Sequence, residues 1–314
     1  PNIDFWTGDP KEPTYYQLYD ETARSLKRAS ARIRVGGPAT AQAAWVDRFI
    51  AHCAQENVPV DFVSTHVYAN DTADNVFGTK ENIPRDQMVC RAVKKVHDQV
   101  KASARPNLPI EWSEYNASYM NEPTVTDTIF MGPWLADTIR QCDGLVDNLA
   151  YWTFSDVFEE QGVVKKPFYG GFGLEAAGSL PKPVFNAFKL LHRLGDERLK
   201  VDSDSVLATR RPGGSLAIAV WNYSAPEQPG APRTIMLRIA GTKAASAMLS
   251  RVDADHGNVL AAYEKMGSPQ YPTSAQIQQL RAAAQLGAPE KVTLKNGTLQ
   301  ITLPPKGLAL LELR

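Results

Sequence analysis

Four times before residue 196, a short apolar, β-branched run is followed by a segment with apolar residues at helical spacing, and this alternation constrains the fold more than any other feature. The runs are "RIRVGG" (32–37), "VDFVSTHVY" (60–68), "LPIEWSEY" (108–115) and "DNLAYWTF" (147–154). The segments after them carry Trp45, Phe49, Ile50 and Cys53; then Met88, Ala92, Val93, Val96 and Val100 within 86–103; then residues 127–142; then 183–194. Strands read as continuous apolar runs when both faces are covered, so the pattern predicts a parallel α/β sheet. A helix precedes the first run: Thr14 and Gln17 make a capping box, and Tyr15, Leu18, Tyr19 and Leu26 fall near one face.

After about residue 197 the texture changes. "VLATRRPGGSLAIAVWNYS", "RTIMLRIAG", "SAMLSRVD" and "KVTLKNGTLQITLP" alternate apolar and polar residues between Gly, Pro and Asn turns, which predicts a small antiparallel β domain. One helical insertion, 274–286, interrupts it, and its Ile277, Leu280 and Ala284 stripe reads as packing. Eight strand-helix units of a (β/α)₈ barrel take roughly 250 residues, whereas the alternating part here ends near residue 196. No Gly-x-Gly-x-x-Gly or phosphate loop follows any strand, which argues against a complete dinucleotide-type doubly wound sheet. The expectation is the second half of a TIM barrel over 1–196, followed by a β-sandwich accessory domain over 197–314.

Thirty-four Lys and Arg balance thirty-four Asp and Glu, so no net field attracts nucleic acid or an anionic membrane, and the expected substrate is neutral. At 43% hydrophobic and 22% charged residues the chain can bury a sizeable core. Cys53, Cys90 and Cys142 are odd in number and widely spaced, so they read as buried thiols rather than a disulfide framework or metal site. Neither a membrane-length apolar run nor a signal core is visible, and the compartment stays open between cytoplasm and bacterial periplasm. Sequons at Asn70, Asn116, Asn222 and Asn296 occur at a chance rate and do not indicate secretion.

In barrel enzymes the chemistry sits at the carboxyl ends of the strands. The second tip carries His66 and Tyr68, the third Glu114, Asn116 and Tyr119, and the fourth Trp152, Asp156, Glu159 and Glu160. Carboxylates, an imidazole and aromatic rings at one rim suit a sugar, whose C–H faces pack on rings while its hydroxyls bond fixed polar groups. Each has a plainer reading: His66 as a hydrogen-bonded structural residue, Glu159 and Glu160 as a solvated pair, Phe5 and Trp6 as core cover. Glu111 lies on the opposite face from Trp112, is expected to face outward and is taken as structural, whereas Glu114 sits just past the apolar strand core.

These residues resemble glycoside hydrolase family 39, in its β-xylosidase branch. "IRVGGPAT", "VDFVSTHVY", "EWSEYNASY", "YWTFSDVFEEQGV" and "FYGGFGLEAAGSLPKPVFNAFKLLHRLGD" match in order from residue 1 to about 196. The resemblance implies a retaining glycosidase barrel in which Glu114 is the catalytic nucleophile. It further implies that His66 and Tyr68 contact the sugar, that Tyr119 neighbours the nucleophile, that Trp152 forms a platform, and that Glu159 and Glu160 grip xylose hydroxyls. No metal or organic cofactor is implied. The family's acid/base Glu precedes a Pro-Asn, and the sequence opens on "PN", so that Glu and the first half of the barrel are expected upstream of Pro1. The missing half is then a required partner, because a half-barrel has unpaired edges that pair or aggregate. A homo-oligomer is compatible with the sequence, and the chain alone is expected to be nearly inactive. The expected activity is exo-acting release of xylose from xylo-oligosaccharides. The alternatives are a non-hydrolytic carbohydrate-binding fragment and another glycosidase of the clan, such as an α-L-iduronidase, although paired acids at the fourth tip would repel a uronate.

Overall fold

The structure is a computed structural model that describes residues 12–157 and 162–313. Glu159 and Glu160, with Phe5 and Trp6, lie outside the described residues. It is a mixed α/β chain with one parallel sheet and several antiparallel ones. Residues up to 119 together with 141–152 form one compact unit, and 120–140 with those from 153 onward form the other.

The first unit holds the helix α1 (Glu12–Ala29) and the strands β1 (Gly36–Thr40), β2 (Phe62–Tyr68), β3 (Ile110–Asn116) and β4 (Asn148–Tyr151). These strands are parallel and lie in the order β1-β2-β3-β4, so each is added on the same side of the last. Helices α2 (Val46–Gln55) and α4 (Met88–Ala102) follow β1 and β2, with a short α3 (Ala73–Phe77) between. The predicted stripe of α4 is fully inside: Met88, Ala92, Val93, Val96 and Val100 are all buried.

The departures from expectation have local causes. Thr14 lies inside α1 rather than at its cap, because Pro13 occupies the first turn, where its missing N–H has no helical partner to lose. Residues 32–35 do not extend β1. Val35 sends its carbonyl to the Asp61 N–H (2.7 Å) and its N–H to Asp61 Oδ2 (2.7 Å), so one side chain and one amide satisfy it outside the ladder.

The thiols are a further correction. Cys90 on α4 and Cys142 form a disulfide with Cα atoms 5.1 Å apart, although 52 residues separate them in sequence, and only Cys53 is free. An odd cysteine count says nothing about which side chains the fold brings within bonding distance.

In the second unit the helix expected over 127–142 begins only at residue 131. It is α6 (Met131–Cys142), whose last two residues belong to the first unit, and a separate short turn α5 (Pro123–Thr126) precedes it. Asp127, between them, is buried and bonded to Lys182 (2.6 Å) and to the Gly170 N–H (2.7 Å). Then come the hairpin β5 (Glu175–Ala176) and β6 (Leu180–Pro181) and helix α7 (Pro183–Leu191), which has Pro183 in its first turn.

From residue 197 all pairings are antiparallel. Strands β7 (Glu197–Arg198), β8 (Val206–Arg210), β9 (Leu216–Trp221), β11 (Ser246–Val252), β12 (Glu290–Thr293) and β14 (Leu308–Leu313) form a six-stranded sheet in the order β12-β11-β14-β9-β8-β7. β10 (Arg233–Arg238) pairs with β13 (Thr298–Leu303). Leu299, Ile301 and Leu303 alternate inward and join Ile218, Val220, Leu249 and Leu311 in one buried cluster. The predicted single helical insertion is two helices, α8 (Val259–Lys265) and α9 (Ser274–Ala283), and α9 begins with a Thr273–Gln276 capping box. Leu280 and Ala284 are buried with Val259, Tyr263, Phe168 and Leu180, in keeping with a packing stripe.

Candidate active site

The site residues of the first unit gather at the carboxyl ends of β2 and β3. In β2, Ser64, His66 and Tyr68 share one face by alternation, while Val63, Thr65 and Val67 share the other and are buried. In β3 the alternation breaks. Thr65 pairs with Trp112 and His66 with Glu114, so Ser113 is an extra residue opposite nothing on β2. Against β4 the same shift recurs, with Trp112 opposite Leu149 and Tyr115 opposite Tyr151. This bulge moves Glu114 onto the face of His66 and Tyr68, where strict alternation from Trp112 would not put it.

Glu111 shares that face too, since it pairs with Ser64. It stands on the face opposite fully buried Trp112, as the alternation predicts, and lies at the amino end of the strand, 3.6 Å from Nη2 of Arg34.

Glu114 is half-buried, and the Tyr68 hydroxyl donates a 2.6 Å hydrogen bond to its Oε2. Tyr119 is exposed, with its ring edge-on to Tyr68 at a centroid distance of 6.1 Å. The His66 ring lies 6.3 Å from that of Tyr68, also edge-on. Buried Nδ1 of His66 has no hydrogen-bond partner among the described residues. Burial pushes the His66 pKa below its ordinary value, against the opposing pull of the Glu114 and Asp71 carboxylates. The imidazole is thereby kept neutral, a state that can donate or accept a hydrogen bond.

Trp152 is half-buried and held at its backbone: its N–H donates to the Tyr115 carbonyl (3.0 Å) and its carbonyl accepts from Asn116 Nδ2 (2.6 Å). Asn116 is fully buried, with Oδ1 bound to the Ala117 N–H (2.6 Å), so it shapes the turn rather than facing a ligand. Asp156, in the other unit, is also withdrawn. It is buried with Oδ2 2.7 Å from the Lys182 ammonium and Oδ1 on the Gly173 N–H.

Sequence reasoning missed a supporting layer behind Tyr68. Asp71 accepts from the Tyr68 N–H (2.8 Å) and from Gln42 (3.2 Å), and Asn70 bonds both Ser118 and the Tyr119 N–H. The only sequence signal was an Asn-Asp pair one residue past the end of a strand, a turn-forming combination. Among the described residues no three His, Cys, Asp or Glu converge to hold a metal, and no helix is long and apolar enough to cross a membrane.

A family model described as glycosyl hydrolases family 39 matches residues 1–299. The chain is 34% identical over 309 residues to a β-xylosidase of Geobacillus stearothermophilus, an alignment that covers 96% of this chain and 61% of that protein. To a β-xylosidase of Caldicellulosiruptor saccharolyticus it is 31% identical over 293 residues, covering 90% and 58%. The chain thus spans about three fifths of the length of these curated relatives. The crystal structure of a monomeric β-xylosidase from Caulobacter crescentus superposes with a TM-score of 0.87 at 31% identity, covering 100% of this chain and 68% of that one.

Proposed function

The chain belongs to glycosyl hydrolases family 39, and from that membership and the arrangement around Glu114 we propose that it carries the nucleophile and sugar-binding residues of a retaining, exo-acting β-xylosidase. The observation that carries the reading is the bulge at Ser113, which sets Glu114 beside Tyr68 and His66 at the strand ends where barrel enzymes work.

In this reading Glu114 attacks the anomeric carbon of a terminal xylose residue. Tyr68 ties Oε2, which leaves Oε1 to form the glycosyl-enzyme bond. Neutral His66 and the Tyr68 hydroxyl bond sugar hydroxyls, Tyr119 walls the pocket beside the nucleophile, and the Trp152 ring offers a platform for the C–H face of the sugar. Glu159 and Glu160, outside the described residues, keep the part of gripping xylose hydroxyls. A retaining reaction needs a second carboxyl about 5 to 5.5 Å from the first, to protonate the leaving oxygen and later deprotonate water. We assign that role to no residue of this chain.

The parallel strands added always on one side support reading 1–196 as four successive strand-helix units of a (β/α)₈ barrel, since a doubly wound sheet would reverse direction. The shared core of the two antiparallel sheets supports reading 197–314 as a β-sandwich accessory domain.

The test is to follow hydrolysis of an aryl β-xyloside by the full-length enzyme with NMR. Xylose should appear first as the β anomer, and Glu114→Gln should lower turnover by on the order of 10⁴-fold or more. First release of the α anomer, or wild-type turnover in the variant, would overturn the assignment.

A further inference from the structure

Asn70 and Asp71 follow Tyr68 by two and three residues, and their side chains reach to different neighbouring loops. Asp71 closes the turn after β2: Oδ2 accepts the Tyr68 N–H (2.8 Å), while the Asp71 N–H donates to the Tyr68 carbonyl (3.0 Å). Its Oδ1 accepts from Gln42 Nε2 (3.2 Å), in the loop after β1. Gln42 is held at φ 60°, a left-handed conformation that a non-glycine residue keeps only where its surroundings impose it.

Asn70 works toward the loop after β3. Its Nδ2 donates to Ser118 Oγ (3.1 Å), and its Oδ1 accepts the Tyr119 N–H (2.9 Å). Two adjacent side chains thus link the ends of three strands, with Tyr68 between them and Glu114 one hydrogen bond away.

We propose that Asn70 and Asp71 are positioning residues: together with Gln42 they form a bracket that fixes Tyr68 against the nucleophile and Tyr119 beside it. The proposal rests on reading Glu114 as the nucleophile. The Tyr68–Glu114 bond is short and joins two half-buried side chains from neighbouring strands, so a small shift of the β2 turn breaks it. Asp71 is well suited to hold that turn. Its carboxyl is largely withdrawn from water, which raises its pKa, and the Tyr68 N–H, the Gln42 amide and His66 pull the other way. The Asn70 sequon is accordingly a structural position, since a glycan on Nδ2 would cost the bond to Ser118.

The test uses Asp71→Ala, Asp71→Asn and Asn70→Ala in the full-length enzyme, with steady-state kinetics on an aryl β-xyloside and a crystal structure of each variant. Asparagine keeps an acceptor for the Tyr68 N–H, and the Gln42 amide can rotate to meet its Nδ2. Asp71→Ala is expected to carry the Tyr68 hydroxyl out of hydrogen-bonding distance of Glu114 and to lower kcat/KM by roughly 10- to 100-fold. Most of that loss should fall in kcat. Asp71→Asn should keep the bond and stay close to wild type, and Asn70→Ala should displace Tyr119 with a smaller loss. If Asp71→Ala does not fold, Gln42→Ala carries the same two readouts.

An intact Tyr68–Glu114 bond with unchanged kcat in Asp71→Ala would overturn the proposal. So would an equal loss in Asp71→Asn, which would point to charge instead of the bracket. If the wild-type enzyme turns over no glycoside, the nucleophile reading falls, while the position of Tyr68 in the variant structures still decides the bracket.

Discussion

The Tyr68 hydroxyl and the Glu114 carboxylate, 46 residues apart in sequence, meet at 2.6 Å because β3 carries one residue more than β2 between their paired positions. A hydrogen bond to a charged acceptor contributes about 1.5–3 kcal/mol. It also fixes which carboxylate oxygen is tied and which is available.

Removing that bond without changing the ring is the direct check. Tyr68→Phe should lower kcat/KM on an aryl β-xyloside by roughly 10- to 100-fold, since about 1.4 kcal/mol is tenfold in rate. Steady-state kinetics on the full-length enzyme measures it, and a loss confined to KM would argue that Tyr68 only binds sugar.

His66 should make the fold sensitive to mild acid. Its folded-state pKa lies below the ordinary 6.5 because burial disfavours the charged ring. The unfolded chain therefore takes up the proton first. The contribution of neutral His66 is present above about pH 6.5 and is lost as pH falls through the folded value. Urea unfolding at about pH 8 and about pH 5 should show a loss in wild type that is smaller in His66→Gln.

The Lys182 ammonium is fully buried and shared by two buried carboxylates, Asp127 at 2.6 Å and Asp156 at 2.7 Å, with the Gly171 carbonyl at 2.9 Å. Burial raises Asp156, because one ammonium does not fully offset two buried acids, whereas that same pair of acids holds Lys182 protonated. Lys182→Ala would leave both carboxylates without their cation, at a cost of about 3–5 kcal/mol. Thermal unfolding should start on the order of 10 °C lower. A midpoint within a degree or two of wild type, with both aspartates still buried, would contradict this account.

The Cys90–Cys142 bond closes a loop of 52 residues. On loop entropy alone it stabilises by up to about 4 kcal/mol. The double variant Cys90→Ala/Cys142→Ala should lower urea stability by a comparable amount. Alkylation of the denatured, unreduced protein should label Cys53 and spare the other two; labelling of all three would refute the bridge.

Much of the sheet was legible because its evidence is local. The run 60–68 and the stripe Met88, Ala92, Val93, Val96, Val100 each show their period within one element, and both became the strand and helix expected. The positions of His66, Tyr68 and Glu114 at strand ends followed from counting past the apolar core. Their gathering at one rim was expected as well, but not the bulge that brings it about. Period-two alternation puts Glu111 and Glu114 on opposite faces, and only pairing to two neighbours reveals that Ser113 is extra.

Sequence alone determined the main strand and helix runs of the first unit, the polar residues at the ends of β2 and β3, and the antiparallel strands after residue 197, since each depends on neighbours a few residues away. Tertiary structure decided the rest: the partner of Cys90, the burial of Lys182, the bracket of Asn70 and Asp71, and the face on which Glu114 stands. Each of these is set by the approach of groups distant in the chain, and the free energy of that approach leaves no period in the sequence.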